Sequence, residues 1–216
     1  TNLATTGNVQ VQGDIQTGGS VGSLPIVIDG DKYETITIGN QVWMKENLRT
    51  TKYSNGDDIE TNYITQYPNL PEDTLRILGK LYSENVITDS RGLCPTGWNV
   101  PTENDWNKLL KEVSATDYID YYLIASDLMD DSGIWDDGGG LVPTNSSGFT
   151  AVPGGEGIQR PQQGDLDYYN YRYNANYWFQ YELTPGYLSI SNFDGVYLQQ
   201  VDIPEGMYYS VRCIKD

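Results

Sequence analysis

A mixed α+β fold is predicted by three observations. Residues 25–44 alternate and turn in the manner of β-hairpins. Residues 94–113 hold two proline-marked turns that lead into an amphipathic helix. From Asp165 onward the chain divides into short Tyr-rich stretches with strand periodicity. Strands at both ends and helices between them point to the α+β class. The expectation is one domain over residues 25–216, preceded by an extension over residues 1–24.

The extension is rich in Thr, Asn, Gln and Gly. Val9 and Val11 alternate within Asn8–Gln12. It reads as a tether; a strand donated to a neighbouring subunit is the other reading. Pro25 opens the domain. Ile26–Ile28, the Asp29-Gly30 turn and Tyr33–Ile38 make a hairpin, and Gly39-Asn40 turns the chain into Gln41–Met44. Trp43, Met44 and Leu48 read as core, and Asn47 as a side chain satisfying loop backbone. Residues 50–67 look irregular apart from a strand-like piece at Ile59–Ile64, and Ser54–Asp58 reads as a solvated acidic turn.

Pro95 and Gly97 break regular structure after Cys94, and Pro101 keeps Val100 extended. Thr102 is then an N-cap with Asp105 as its capping-box acid, and Trp106, Leu109, Leu110 and Val113 form one apolar helical face. A second helix is expected over Thr116–Met129, where Tyr118, Tyr121, Tyr122, Ile124, Ala125 and Leu128 recur at helical spacing. The Gly-rich loop Asp136–Gly140 is no phosphate loop, because no Lys-Ser/Thr follows it.

Toward the C-terminus, strands are expected at Tyr177–Leu183, Tyr187–Ser191, Val196–Val201 and Tyr208–Ile214. Alternation would turn Leu188, Ile190, Val196 and Leu198 inward, with Tyr187, Ser189, Ser191, Tyr197 and Gln199 outward. Tyr, Asn and Ser are the chemistry of recognition surfaces, since Tyr offers contact area at low entropy cost and Asn and Ser offer adaptable hydrogen bonds. The candidate ligand-binding set is Tyr169, Tyr171, Tyr173, Asn174, Asn176, Phe179, Tyr181, Tyr187, Ser189, Ser191, Asn192, Asp194, Tyr197 and Gln199.

With 13 basic and 30 acidic residues the net charge is −17, which repels nucleic acid and anionic membranes. No apolar run reaches the length of a membrane span. The chain starts at Thr1 without an export segment, so a processed chain is expected. The chain has no histidine, which removes Ser-His-Asp catalysis and the common zinc sites. Carboxylate pairs for glycoside hydrolysis stay open, but no motif marks one. Cys94 and Cys213 suit either one bridge in an oxidising compartment or two buried thiols.

Five stretches together resemble one family. Leu93–Trp106 is similar to a "LCPxGWHVPTxxEW" signature, with Asn99 in place of His and Asp105 in place of Glu. Ser210–Asp216 is similar to "SVRCVKD", Tyr33–Leu48 to "YxTVxIGxQxWMxENL", and Asn145–Gly155 to "NxSGFxAxPGG". Gly79–Ser83 is similar to the family's "GxLYxxxA" piece. The family is the Fibrobacter succinogenes major paralogous domain of bacterial surface lipoproteins, found in Bacteroidetes. The resemblance implies a C-type-lectin-like fold with two helices and a mostly antiparallel twisted sheet. It implies a Cys94–Cys213 bridge, closing a loop worth up to ~4.7 kcal/mol in the chain-entropy model. It places Phe149, Ala151 and Val152 in the core and the ligand face in the C-terminal half.

The functional expectation is an exported, surface-attached, non-enzymatic adhesin with an unknown protein or glycan ligand. Some relatives are diversified by retroelements that mutate adenines and enrich Tyr, Asn, Ser and Asp on the exposed face. Other readings are a structural or pilus-tip subunit joined through the extension and, less favoured, a carbohydrate-active enzyme. No cofactor is expected. The Glu-Pro-Asn-like and Trp-Asn-Asp-like calcium motifs of lectins are missing, so calcium-dependent sugar binding is not expected although Asp194, Asp202 and Glu205 lie in the corresponding half of the chain; the acidic loops leave a structural calcium open.

Overall fold

The computed structural model describes residues 25–114, 120–136, 138, 140–160, 165–181, 184–200 and 203–216. The expected extension over 1–24, the start of the second helix and the strand ends at Leu183 and Val201 lie outside the described residues.

In chain order the elements begin with β1 (Ile26–Ile28), β2 (Asp31–Tyr33), β3 (Thr35–Ile38), β4 (Gln41–Met44) and β5 (Ile64–Thr65). Then come α1 (Glu72–Leu78), β6 (Leu81–Ser83), α2 (Glu84–Thr88), β7 (Trp98–Asn99), α3 (Glu103–Val113) and α4 (Tyr121–Leu128). The C-terminal part holds β8 (Glu156–Gln159), β9 (Leu166–Tyr169), β10 (Asn174–Tyr181), β11 (Thr184–Ser191), β12 (Gly195–Gln199), β13 (Met207–Tyr209) and β14 (Ile214–Lys215). Among the described residues the strands form four antiparallel sheets, ordered β1-β2, β3-β4-β14-β7, β5-β6-β13-β8-β9 and β10-β11-β12. The fold is therefore mixed α+β and mostly β; among the described residues there are several sheets where one was expected and four helices where two were expected.

The expected turns are present. Asp29 and Gly30 take φ of 51° and 84°, the pair of left-handed residues that a tight two-residue hairpin needs. The predicted strand Tyr33–Ile38 is split at Glu34, whose backbone leaves β1 and pairs instead with Lys45 and the Glu46 carboxylate. Ile59 is buried, but only Ile64–Thr65 is strand; a turn from Glu60 to Tyr63 interrupts the expected run.

α3 follows its sequence closely. The Thr102 hydroxyl accepts from Asp105 N, and the Asp105 carboxylate accepts from Thr102 N, so both halves of the capping box are made. Trp106, Leu109 and Leu110 are buried and Val113 packs partly against them. α4 starts later than predicted. Asp120 is extended and caps the helix by accepting from Tyr122 N and Leu123 N. Ile124, Ala125 and Leu128 face the core, whereas Tyr121 and Tyr122 lie outside it. The helices that were not predicted, α1 and α2, span 7 and 5 residues, shorter than a clear amphipathic repeat.

Two clusters of buried side chains hold the sheets together. In the first, Trp43, Trp106, Phe149 and Tyr177 stack with centroid spacings of 4.7 to 6.3 Å, joined by Leu109, Leu128 and Leu188. Each such side chain, fully buried, contributes roughly 1.5–3 kcal/mol of transfer free energy. The second holds Tyr33, Met44, Leu48, Tyr82, Trp98, Trp178 and Tyr209. The disulfide Cys94–Cys213 lies in that second cluster, with a Cα–Cα distance of 6.0 Å and a sequence separation of 119. Asn47 satisfies loop backbone as expected, donating to Leu78 O at 2.8 Å. The expected C-terminal strand Tyr208–Ile214 is two strands. Between them Ser210 bridges to Tyr177, and the carbonyls of Val211 and Cys213 accept from Leu48 and Met44.

Candidate functional site: the aromatic rim of the C-terminal sheet

The register of β10-β11-β12 sorts the predicted ligand set. Asn174 lies opposite Ser191, Asn176 opposite Ser189, Trp178 opposite Tyr187, Ser189 opposite Tyr197 and Tyr187 opposite Gln199. These residues share one face. Tyr177, Phe179, Leu188, Ile190 and Val196 occupy the other and fill the first core. The predicted division therefore holds for Leu188, Ile190, Val196, Tyr197 and Gln199.

Five members of the predicted set are buried and cannot meet a ligand in this state. Ser189, Ser191 and Asn176 do lie on the face away from α3 and α4, but a second layer covers them. Gly155 bridges to Ala175, the Glu156 carboxylate accepts from Asn176 Nδ2 at 2.9 Å, and the Tyr209 ring stacks on Tyr187 at 4.5 Å and on Trp178 at 4.7 Å. Phe179 points into the first core, where Tyr181 also packs. Asn192 is buried in the β11–β12 turn, donating from Nδ2 to Asp136 O. These positions build the site without forming its surface.

What remains at the surface is an aromatic rim with polar neighbours. Tyr173 and Phe193 are 38% and 50% exposed and stack on each other at 5.8 Å. The Ser191 hydroxyl accepts from the backbone N–H of both Phe193 and Asp194 at 3.2 Å, which fixes the turn that presents Phe193. Gly195 closes that turn at φ +82°, and a Cβ there would lie 2.9 Å from Tyr121 O, so the hairpin sits directly on the start of α4. Along the sheet, Asn174 donates to Ser189 Oγ at 3.3 Å. Tyr197, exposed, meets Tyr187 edge-on at 6.1 Å. Burial pushes the Tyr187 phenol well above its usual range. Phe193 was missed from the sequence, although an apolar ring between Asn192 and Asp194 in a hairpin tip is itself a signal of exposure.

Tyr169 and Tyr171 belong to a separate group. Tyr67 stacks on Tyr168 at 4.8 Å and on Tyr171 at 5.3 Å, and its hydroxyl donates to Tyr169 O at 2.6 Å. Arg160 Nη2 donates to Tyr169 Oη at 2.7 Å. Sequence reading missed Tyr67, because it lies about a hundred residues away from its partners. Beside this group the half-buried Glu156 carboxylate accepts from Asn170 and Asn176; burial raises its pKa, and these two amides oppose the shift.

The acids singled out for calcium do not converge. Asp194 is at the hairpin tip, Glu205 lines a different cleft of about 440 Å³ with Glu84, Asn62 and Gln159, and Asp202 lies outside the described residues. No group of three or more Cys, Asp or Glu side chains able to hold a metal ion occurs among the described residues.

The model of the Fibrobacter succinogenes major domain matches residues 36–215 of the chain. No curated protein and no solved structure matches it. The match spans β3 to β14, taking in the disulfide, both cores and the aromatic rim. The chain belongs to the Fibrobacter succinogenes major domain family.

Proposed function

We propose that the chain is a non-enzymatic, ligand-binding module displayed at the bacterial cell surface, an adhesin in type, which engages a protein or glycan through the rim formed by Tyr173, Phe193, Asp194, Asn174, Tyr197, Gln199 and Tyr187. The observation that carries this reading is the Tyr173–Phe193 pair. Two large rings stacked in solvent, on a turn held by Ser191, lose little further freedom on binding and offer apolar area with polar neighbours. The Cys94–Cys213 bond supports an exported location, since such bonds persist in oxidising compartments. A bridge from the turn before α3 to the final strand also supports a C-type-lectin-like fold. Because the rim consists of exposed and half-buried turn and strand positions over a buried polar layer, it suits diversification by a retroelement: rim residues change while Asn176, Ser189 and Ser191 keep the frame.

The test is a screen of glycan and host-protein arrays with the native chain and a Tyr173→Ala/Phe193→Ala/Tyr197→Ala variant. A hit lost in a variant that melts like the native protein supports the rim. Hits that survive the triple change place recognition elsewhere, and a blank array favours an assembly role.

A further inference from the structure

A second site lies away from the rim and shares no residue with it. Next to the β1–β2 turn, a cleft of about 690 Å³ is lined by Arg49, Arg76 and Lys80, with Asp31, Glu72 and Gln66. That volume is within the range of small-molecule sites. A neighbouring hollow of about 230 Å³ shares Arg49 and Arg76 and adds Lys32 and Lys45, together with the carboxylates of Glu46 and Asp130. Those five cations come from a chain that has only 13 basic residues and a net charge of −17.

The cations of the cleft are poorly matched by the protein itself. Arg49 leaves 9% of its side chain exposed, stacks on the Tyr33 ring at 4.3 Å and donates from Nη2 to Lys32 O. Its Nε has no hydrogen-bond acceptor among the described residues, although it forms a longer ion pair with the Asp31 carboxylate at 3.6 Å. Arg76 has no ion-pair or hydrogen-bond partner for its side chain among the described residues. Lys80 donates to the Gln66 carbonyl oxygen, and burial lowers its pKa against the opposing charge of Asp31. Asp31 is the one carboxylate shared by the half-buried Arg49 and Lys80, and Arg76 beside them is exposed, so the cleft has cationic capacity to spare for a further anion.

We infer that this cleft binds a carboxylate-bearing sugar, with Arg49 and Arg76 taking the carboxylate and Lys80 a neighbouring oxygen. The planar guanidinium fork matches a carboxylate in two-point geometry, which a lysine ammonium alone does not. Leu70 and Leu75 supply an apolar wall for a sugar ring, and the Gln66 amide N–H₂ is left to meet a hydroxyl.

The experiment is titration of the native chain with glucuronate, followed by amide and arginine side-chain NMR, with glucose and inorganic sulfate as parallel probes. The expected result is saturable shifts at Arg49, Arg76 and Lys80, weakening with added salt, and affinity reduced about tenfold or more in Arg76→Ala and in Lys80→Met. Both changes are at side chains outside the core, and mapping on the native chain stands even if one variant fails to fold. Shifts at other residues, an equal response to glucose, or equal affinity in Arg76→Ala would overturn the site. Sulfate binding as tightly as glucuronate would overturn the carboxylate assignment, as would silence at every glucuronate concentration.

Discussion

Arg212 donates from Nη2 to the Asn47 side-chain oxygen at 2.7 Å, with both residues fully buried. The same guanidinium donates to the carbonyls of Phe149 and Thr150 and lies 4.5 Å above the Phe149 ring. Arg212 has no carboxylate within ion-pair distance among the described residues; carbonyl dipoles and two aromatic faces stabilise the charge instead, while burial lowers its pKa. Replacing Arg212 with Ala would strand three buried acceptors, so a loss of about 3–5 kcal/mol is expected. Urea unfolding of Arg212→Ala against Arg212→Lys checks this; the lysine variant should lose less, since it keeps one charged donor.

The Cys94–Cys213 bond closes a 119-residue stretch. Reduction, or the Cys94→Ser/Cys213→Ser pair, should lower unfolding free energy by about 2–5 kcal/mol. Thermal melts with and without reductant provide the measurement, and the double serine variant should not respond to reductant.

Gly155 has φ +58°, and a Cβ there would collide with the Tyr67 hydroxyl and the Tyr169 carbonyl. Gly155→Ala should destabilise by more than ~1 kcal/mol and break the Tyr67–Tyr171 stack. Loss of protection in hydrogen exchange at β8 and β9, with α3 unaffected, would localise the effect. By contrast, Phe193→Ala removes a half-exposed ring and should change stability by only about 0.5 kcal/mol.

Arg91 gathers Asp89, Glu60 and Asp57 within 2.8 to 3.7 Å and lies 3.8 Å above the Tyr53 ring. Hydrogen bonds from Arg91 hold the Asp89 carboxyl down at about 2. A folded-state pKa below the unfolded one, ~3.9, means that this contribution is complete above about pH 5. It is lost as pH falls through the folded value. The stability gap between the native chain and Arg91→Ala should therefore be present at neutral pH and close as pH approaches about 2. Because the cluster is partly exposed, added salt should narrow the gap at neutral pH.

Local chemistry made much of the fold legible. Thr102 and Asp105 announce α3, Asp29-Gly30 announces the first hairpin, and alternation in Leu188–Ile190 announces the inner face of β11. The site was harder to read because its exposure is set by distant chain. Ser189 and Ser191 alternate as outward residues, yet their face is covered by distant chain, with Glu156, Gly155 and Tyr209 meeting their neighbours Asn176, Ala175 and Tyr187. α1 carried usable signals, Glu72 and Asp73 in its first turn and Gly79 after its end, but its 7 residues give too few turns for a periodic pattern. The cations of the 690 Å³ cleft come from positions 49, 76 and 80 and converge only through folding.

The disulfide also determines how the molecule would bear tension. Load entering at β1 and leaving at Asp216 runs through residues 26–94, crosses the sulfur bond and exits after Cys213. Everything between the cysteines, including α3, α4 and the Tyr173–Phe193 pair, lies off that covalent path, coupled to it through the pairing of β13 with β6. Reducing the bond would release roughly 400 Å of hidden contour, at 3.3–3.6 Å for each residue. The proposed rim therefore carries no covalent load while the bond is intact.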